Sequence, residues 1–230
     1  MTPEDDMMKQ LNRMIDHTLL HPAATEEQIR QLCREAAVYQ FFAVCVHPVY
    51  VSLARECLQG TDVKVCTVIG FPLGLQAVRV KQLEASLAVE EGADELDYVI
   101  NLADVKNGAW QRLEREMSAM RRCKEEATRP MTVKAILETC YLSGEELVRL
   151  CQTAVACGLD FVKTSTGFGP GGATVEHVAL MRRTVGEHCG VKASGGIRTA
   201  ADAMRMVQAG ANRIGTSSGV RIVQQNTGAI

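Results

Sequence analysis

Short runs of apolar and β-branched residues alternate with longer amphipathic segments along the whole chain. Segments such as GEELVRLCQTAVACG place their apolar residues on one face of a helix. Regular alternation of strand and helix predicts parallel strands joined by right-handed helical crossovers. The runs typical of strands lie at 41–46, 63–69, 94–100, 132–137, 160–165, 191–194 and 212–215, with a weaker one at 13–19.

The number and spacing of these runs favour one closed architecture. Eight strand signals in 230 residues leave about 29 residues per strand–helix unit. This predicts an α/β protein with a (β/α)8 TIM barrel, in which residues 1–230 form a single domain with a short N-terminal helical extension. An open, doubly wound parallel sheet is the alternative that the same pattern leaves open.

Composition and charge exclude several classes of function. The chain is 47% hydrophobic and 23% charged, with a net charge of −2, so nothing favours nucleic acid or an anionic membrane as a partner. The acidic N-terminus does not resemble a secretory signal. Nine cysteines without a CxxC pair are typical of reduced thiols, which predicts a cytoplasmic protein. The histidines lack metal-ligand spacing, so we expect no metal and no cofactor.

Three lysines occur at one spacing inside the predicted strands. Lys134, Lys163 and Lys192 follow one another at intervals of 29 residues. Side chains alternate across a strand, so we expect the lysines to occupy equivalent levels of neighbouring strands and to point into the barrel. Their place near the strand ends favours an active site. The alternative is that each lysine reaches solvent or pairs with a structural carboxylate.

A cluster of amines suits Schiff-base formation, in which a neutral lysine attacks a carbonyl group. At the ordinary lysine pKa only about one amine in 2,500 is neutral at pH 7. Two ammonium groups about 5 Å apart repel by about 3 kcal/mol at an effective dielectric of about 20, which lowers the pKa of one of them by about 2 units. Asp97, in DELDYVI, is a candidate to relay protons or to pair with a lysine, and Glu138 is a second candidate lysine partner.

Small-residue turns follow the last three strands: TSTGFGPGGAT, SGGIRTA and GTSSG. Glycines let the backbone approach a ligand closely, and a following helix N-terminus offers free N–H groups to an anion. The loops after strands 7 and 8 of such barrels often bind phosphate, so these turns predict a phosphorylated ligand.

Eight segments together make the chain resemble the deoxyribose-phosphate aldolase family of class I aldolases. They cover nearly the whole chain: IDHTLL, VCVHP, IGFPLG, ELDYVINL, VKAILET, FVKTSTGF, VKASGGIR and RIGTSSG. The resemblance implies reversible cleavage of 2-deoxy-D-ribose 5-phosphate into acetaldehyde and D-glyceraldehyde 3-phosphate, in the catabolism of deoxyribose phosphate. It also implies a homo-oligomer, a dimer.

The resemblance assigns roles to residues at matching positions. Lys163 forms the imine, Lys192 is the neighbouring cation that assists proton transfer, and Asp97 acts in the proton relay. The implied substrate-binding residues are Thr18, Cys45, Lys134, Thr166, Gly167, Gly195, Gly196, Ser217 and Ser218. Family members often carry a tyrosine near the C-terminus, whereas this sequence has none after Tyr141. We therefore expect Asp97, Lys192 and water to carry proton transfer here.

Three other functions fit part of the pattern. A different Schiff-base barrel enzyme, such as another phosphosugar aldolase or a transaldolase, would use the same lysine on a ketose. A sugar-phosphate isomerase would use Asp97 as a base, with Lys163 in an electrostatic role. A non-catalytic phosphate-binding barrel has no use for three lysines in phase.

Overall fold

A computed structural model describes residues 10–227 as eight parallel strands in a closed barrel. The strands follow chain order around the barrel, and the first pairs with the last. The predicted (β/α)8 barrel is thus confirmed, and the open doubly wound sheet is wrong. The strands are β1 Ile15–Leu19, β2 Ala43–Val46, β3 Lys64–Ile69, β4 Glu95–Val99, β5 Thr132–Ile136, β6 Phe161–Lys163, β7 Gly190–Ser194 and β8 Arg213–Thr216.

Helices between the strands form the outer layer. They are α1 Glu26–Val38, α2 Val51–Cys57, α3 Val78–Glu91, α4 Leu102–Lys106, α5 Trp110–Glu126, α6 Gly144–Ala156, α7 Val175–Val185, α8 Ala200–Gln208 and α9 Gly219–Thr227. Within the described residues, none is both long and apolar enough to cross a membrane. The part of the predicted N-terminal extension that the structure describes contains a 3-10 turn at Leu11–Met14, and residues 1–9 lie outside the described range.

Local sequence signals explain where several helices begin. At α1, α6 and α8 the side chains of Thr25, Ser143 and Thr199 accept hydrogen bonds from the backbone N–H three residues on. The side chain of that later residue in turn accepts a hydrogen bond from the backbone N–H of the capping residue. These capping boxes satisfy donors that the first helical turn leaves without partners. The predicted alternation across the strands is also confirmed, because Val133, Val162 and other outward residues are fully buried against the helices.

The barrel interior is polar on one side and apolar on the other. On β2 and β3 the inward residues form a small cluster of Ala43, Cys45, Cys66 and Val68. On β1, β4, β5, β6, β7 and β8 the interior instead contains ionisable side chains, all at least 95% buried: Asp16, Glu95, Asp97, Lys134, Lys163, Lys192 and Arg213. Such barrels are usually filled by branched apolar residues. The charged side of the barrel interior is therefore the candidate functional site.

Strand register corrects one expectation about the lysines. Lys163 and Lys192 are paired neighbours on β6 and β7, as the common spacing predicts. Lys134, however, pairs with Phe161, two residues before Lys163 along β6. Lys134 thus lies one inward position deeper than the other two, and the expectation of three equivalent levels is wrong. An equal interval in sequence does not fix register, because a strand can slide along its neighbour by two residues without changing the face of its side chains.

Candidate active site

Asp97 is the centre of the buried network. Its Oδ2 accepts hydrogen bonds from the amines of Lys163 and Lys192, each at 2.7 Å, and its Oδ1 accepts one from Lys134, also at 2.7 Å. The carboxylate is fully buried. Burial alone would raise the pKa of Asp97, but the three lysines outweigh it and hold this pKa well below its usual range. Asp97 is therefore an anion shared by three amines.

Two of the lysines have a second carboxylate each. Lys134 donates to Glu95 at 2.6 Å, and Lys192 donates to Asp16. Burial would lower the pKa of Lys192, but Asp16 and Asp97 raise it well above its ordinary value. For Lys134, burial is likewise outweighed by the nearby anionic side chains, led by Asp97, so its pKa is also raised. Both amines are held as ammonium ions.

Arg213 joins the two outer carboxylates at the bottom of the network. One of its nitrogens lies 2.9 Å from Asp16 and 3.0 Å from Glu95. Its guanidinium stacks 3.5 Å from the ring centroid of Phe42 and 5.3 Å from that of Phe161. Gly190 is the strand partner of Phe161, and a Cβ at this position would lie 2.2 Å from the Phe161 ring and displace it. The floor is thus closed by packing and by charge pairing.

Counting charges singles out Lys163. Four cations and three carboxylates share the network, so one positive charge is in excess when all seven groups are ionised. Within residues 10–227, Lys134 and Lys192 have two carboxylate partners each, whereas Lys163 has only Asp97, which it shares. Lys163 is consequently the lysine of the network with the fewest carboxylate partners among the described residues. The Asp97 carboxylate lies between the amines of Lys163 and Lys192 and offsets the repulsion that the sequence predicts between them.

Three turns that follow neighbouring strands lie at the rim above these amines. Gly167 follows β6, Gly195 and Gly196 follow β7, and Ser217 and Ser218 follow β8 and lead into α9. Gly167 and Gly196 have φ of +87° and +81°, and a Cβ on either would meet nothing within 4 Å. The side of each glycine where a Cβ would stand therefore borders open space, and α9 begins directly after Ser218. Such a rim suits an anion.

Glu138 bonds Thr166 and pairs with none of the described lysines, so the expectation of a lysine partner is wrong. It adopts a left-handed backbone with φ of +52° two residues after the end of β5. Its carboxylate accepts hydrogen bonds from the backbone N–H of Thr166, at 3.1 Å, and from the Thr166 hydroxyl. The Thr166 hydroxyl oxygen in turn accepts from the N–H of Phe168 at 3.0 Å. Glu138 thus fixes the turn after β6, which carries Gly167.

The remaining predicted pocket residues lie on β1 and β2. Thr18 is half-buried and donates to the Asp16 carbonyl at 2.9 Å. Cys45 is fully buried beside Cys66. Above them the rings of Phe71 and Phe168 meet edge to face, with centroids 5.3 Å apart. One side of the mouth is therefore apolar.

The same interior also brings possible metal ligands together. Ligand atoms of Cys45, Cys66 and Asp97 lie within 4.8 Å of one another. Burial, however, raises the pKa of the Cys66 thiol well above its ordinary value, so Cys66 stays neutral and donates to Asp97 at 3.2 Å. Asp97 is already shared by three amines. The donor set is thus better suited to charge pairing than to a cation.

Comparison with known proteins agrees with this geometry. A family profile described as DeoC/LacD family aldolase matches residues 11–225. The chain belongs to the DeoC/LacD aldolase family. A deoxyribose-phosphate aldolase from Caldanaerobacter subterraneus subsp. tengcongensis is 51% identical over 225 residues, which cover 98% of this chain and 97% of that relative. One from Streptococcus gordonii is 55% identical over 217 residues, covering 94% and 97%.

A solved structure extends the likeness to three dimensions. The tetrameric deoxyribose phosphate aldolase from Aeropyrum pernix superposes with a TM-score of 0.89 at 36% identity, covering 99% of this aldolase and 97% of that chain. The resemblance inferred from the sequence motifs is thereby confirmed, and the chain is a carbon–carbon lyase.

Sequence reasoning missed part of the charged network. The sequence analysis assigned no role to Glu95, Arg213 or Asp16. Glu95 lies two residues before Asp97, so alternation along β4 puts both carboxylates on one face. That signal was available for Glu95. Nothing local marks Arg213, because its partners are 118 and 197 residues away in the chain.

Proposed function

We propose that this aldolase reversibly cleaves 2-deoxy-D-ribose 5-phosphate into acetaldehyde and D-glyceraldehyde 3-phosphate through an imine on Lys163. The observation that carries the proposal is the arrangement around Lys163: an amine with one shared carboxylate, in a network with excess positive charge, below a rim suited to phosphate. The names of the similar proteins supply the substrate.

The reaction needs a neutral amine and a route for protons. The Lys163 Nζ attacks C1 of the open-chain aldehyde, and loss of water leaves an imine. When the imine is protonated, it withdraws electrons from the C2–C3 bond. The C3 hydroxyl loses its proton, the bond breaks, and glyceraldehyde 3-phosphate departs. The enamine that remains takes up a proton at C2, and water then releases acetaldehyde and the free amine.

Asp97 and Lys192 are the groups that move protons. Asp97 Oδ2 bonds the amines of Lys163 and Lys192 at equal distance, so a proton can pass between them without rearrangement of the backbone. Asp16 holds Lys192 from the other side. A water molecule between these groups and the sugar completes the relay.

The rest of the substrate fits the rim. The phosphate is bound by the backbone N–H groups of Gly195, Gly196 and the N-terminus of α9, with Ser217 and Ser218 adding hydroxyls. Thr166 and Gly167 border the sugar, and Thr18 and Cys45 line the opposite side. Lys134, one inward position deeper, contributes by holding Asp97 in place. A cytoplasmic location and a role in deoxyribose phosphate catabolism remain predictions from the sequence.

Reductive trapping tests substrate and nucleophile together. Borohydride added during incubation with 2-deoxy-D-ribose 5-phosphate should fix one adduct, and peptide mapping should place it on Lys163. Lys163→Met should abolish the adduct and the cleavage activity. Lys64→Met removes an exposed lysine on β3 and should retain both, which makes it the matched control.

Other outcomes would identify the rival functions. An adduct on Lys134 or Lys192 would contradict the assigned mechanism. Trapping with a ketose phosphate, but not with acetaldehyde, would indicate another phosphosugar aldolase. Activity that survives Lys163→Leu would indicate an isomerase with Asp97 as its base.

A further inference from the structure

His17 is a buried histidine to which the proposed reaction gives no role. It lies on β1, where it is the register partner of Thr216 on β8, and it is 3% exposed. Asp16 points into the barrel, so alternation along the strand turns His17 outward, toward the helical layer. There its Nε2 lies 2.7 Å from the Glu35 carboxylate on α1. The imidazole thus joins the barrel wall to the first helix.

The tautomer of His17 follows from its surroundings. Burial lowers the pKa of the imidazole, and the bond to Glu35 offsets this only in part, so the ring is neutral near pH 7. Burial also opposes the ionisation of Glu35, but hydrogen bonds from Gln31 and His17 outweigh it and lower the pKa of Glu35. Glu35 is therefore a carboxylate, which can only accept, and the proton of the ring is on Nε2. Nδ1 is buried and has no hydrogen-bond partner among the described residues.

The Nδ1 edge of the ring lies against the first residue of α9. A Cβ on Gly219 would stand 2.9 Å from Nδ1, 3.1 Å from the Phe41 ring and 3.2 Å from the Ile15 side chain. The helix begins this close to β1 because residue 219 has no side chain. The Phe41 ring packs on the imidazole with centroids 5.0 Å apart, so Glu35 and Phe41 together fix the ring. His17 consequently sets how near the barrel the first turn of α9 lies.

The start of α9 is tied to the turn after β7 as well. The Ser218 N–H donates to the Thr216 hydroxyl oxygen at 2.9 Å, and that hydroxyl donates to the Ile197 carbonyl at 2.7 Å. Thr216 is also the residue that pairs with His17 across the strands. The N–H groups of the first helical turn have no partner within the helix, so their positions determine how well they bind an anion. A shift of the imidazole would therefore displace Ser218 and Gly219 together.

We propose that His17 and Glu35 form a positioning pair that sets the affinity of the site for the phosphate group, and thereby its preference for phosphorylated over unphosphorylated sugars. This inference rests on the proposed function, in which the N-terminus of α9 binds the phosphate. Neither residue contributes a contact to the substrate. Glu35 holds the imidazole through Nε2, and the imidazole holds the first turn of α9. An apolar ring would fill the same space but would lack the bond to α1.

Steady-state cleavage of 2-deoxy-D-ribose 5-phosphate and of 2-deoxy-D-ribose separates phosphate positioning from a general loss of structure. Glu35→Ala should raise KM for the phosphorylated sugar by about 5-fold, the equivalent of one hydrogen bond, and His17→Phe by about 10-fold. Because only binding of the phosphate is weakened, kcat and the cleavage of the unphosphorylated sugar should not change. Glu35→Gln keeps an acceptor for Nε2 and should retain the wild-type KM. Glu27→Ala removes a carboxylate of α1 that pairs with Arg34, so it is the matched control and should change neither substrate.

Titration with inorganic phosphate tests the same pair without catalysis. In the wild type the amide resonance of Gly219 should shift in a heteronuclear NMR spectrum, and the Kd from that shift should be about 10-fold weaker in His17→Phe. If borohydride traps no adduct on Lys163, the proposed function fails, whereas this titration still decides whether the pair positions an anion site. Equal Kd values in the wild type, His17→Phe and Glu35→Ala would overturn the inference. So would a wild type without a phosphate-dependent shift at Gly219, or variants that lose activity equally on both sugars.

Discussion

Replacing Asp97 by Asn should destabilise the folded protein strongly, whatever it does to catalysis. Asp97 is fully buried and lies 2.7 Å from each of three lysine amines. The amide keeps the shape of the side chain but removes the charge, so the network changes from four cations with three anions to four cations with two. Removing one partner from a buried ion pair costs about 3–5 kcal/mol of unfolding free energy. We expect a loss in that range near pH 7.

The pH dependence of this loss follows from the raised pKa of Lys192. After the opposing effect of burial, Asp16 and Asp97 hold that pKa above its ordinary value. The stabilisation is therefore complete below the lysine pKa of the unfolded chain, about 10.4, and declines as the pH rises further. The difference between wild type and Asp97→Asn should be largest near neutral pH and should shrink above about pH 10.

Urea unfolding followed by circular dichroism measures this difference. The matched control is Glu27→Gln, which makes the same kind of change in an exposed ion pair with Arg34. It should leave the midpoint almost unchanged, because exposed pairs contribute little. If Asp97→Asn cost no more than Glu27→Gln, the account of Asp97 as the shared counterion would be refuted.

Four further changes have defined outcomes. Because the pKa of Asp97 is depressed, its contribution to the stability of the folded protein should be lost as the pH falls below about 4. Below that pH the urea midpoint of Asp97→Asn should fall less steeply with pH than the midpoint of the wild type. Equal slopes of midpoint against pH would contradict this. Lys81→Met leaves Glu116 buried without its cation, so it should lower the free energy of unfolding by about 3–5 kcal/mol at pH 8, measured by urea unfolding. The loss should be smaller at pH 5, because burial raises the pKa of Glu116. A loss that does not depend on pH would argue against the ion pair. Gly196→Ala should lower the free energy of unfolding by about 1–2 kcal/mol, because the backbone φ at this position is +81°. It should also raise KM for the phosphorylated substrate in steady-state assays. An unchanged KM would show that this turn is not part of the phosphate site. Thr25→Ala removes the cap of α1 and should cost about 1 kcal/mol with kcat unchanged, whereas a loss of kcat would show an effect beyond the helix.

Local sequence signals predicted most of the fold. The seven stronger strand runs and the weaker one at 13–19 each overlap a strand of the barrel, and their ends agree with those of the strand to within two residues. Gly92, Gly158 and Gly210, which follow α3, α6 and α8, all have positive φ, as expected of glycine at a helix end. These features are predictable because periodicity, capping and glycine turns depend on residues close together in the chain.

The candidate site was predicted in part. The interval of 29 residues brought Lys163 and Lys192 together correctly, because their strands are neighbours in the sequence and in the barrel. The same interval misplaced Lys134 by one inward position, since register depends on how two strands pack. Glu138 was assigned to a lysine, but its left-handed backbone at the end of β5 turns it toward Thr166.

The sequence alone determined the alternation of strands and helices, the pairing of Lys163 with Lys192 and the small-residue turns, because each arises from a short repeated unit. Only the tertiary structure decided which charges meet. Closure of the barrel places β1 beside β8 and brings Asp16 to Lys192 across 176 residues and Glu95 to Arg213 across 118. Those contacts leave Lys163 as the lysine with a single, shared carboxylate. A count of charges along the chain cannot show this, because the strength of each ion pair depends on distance and burial.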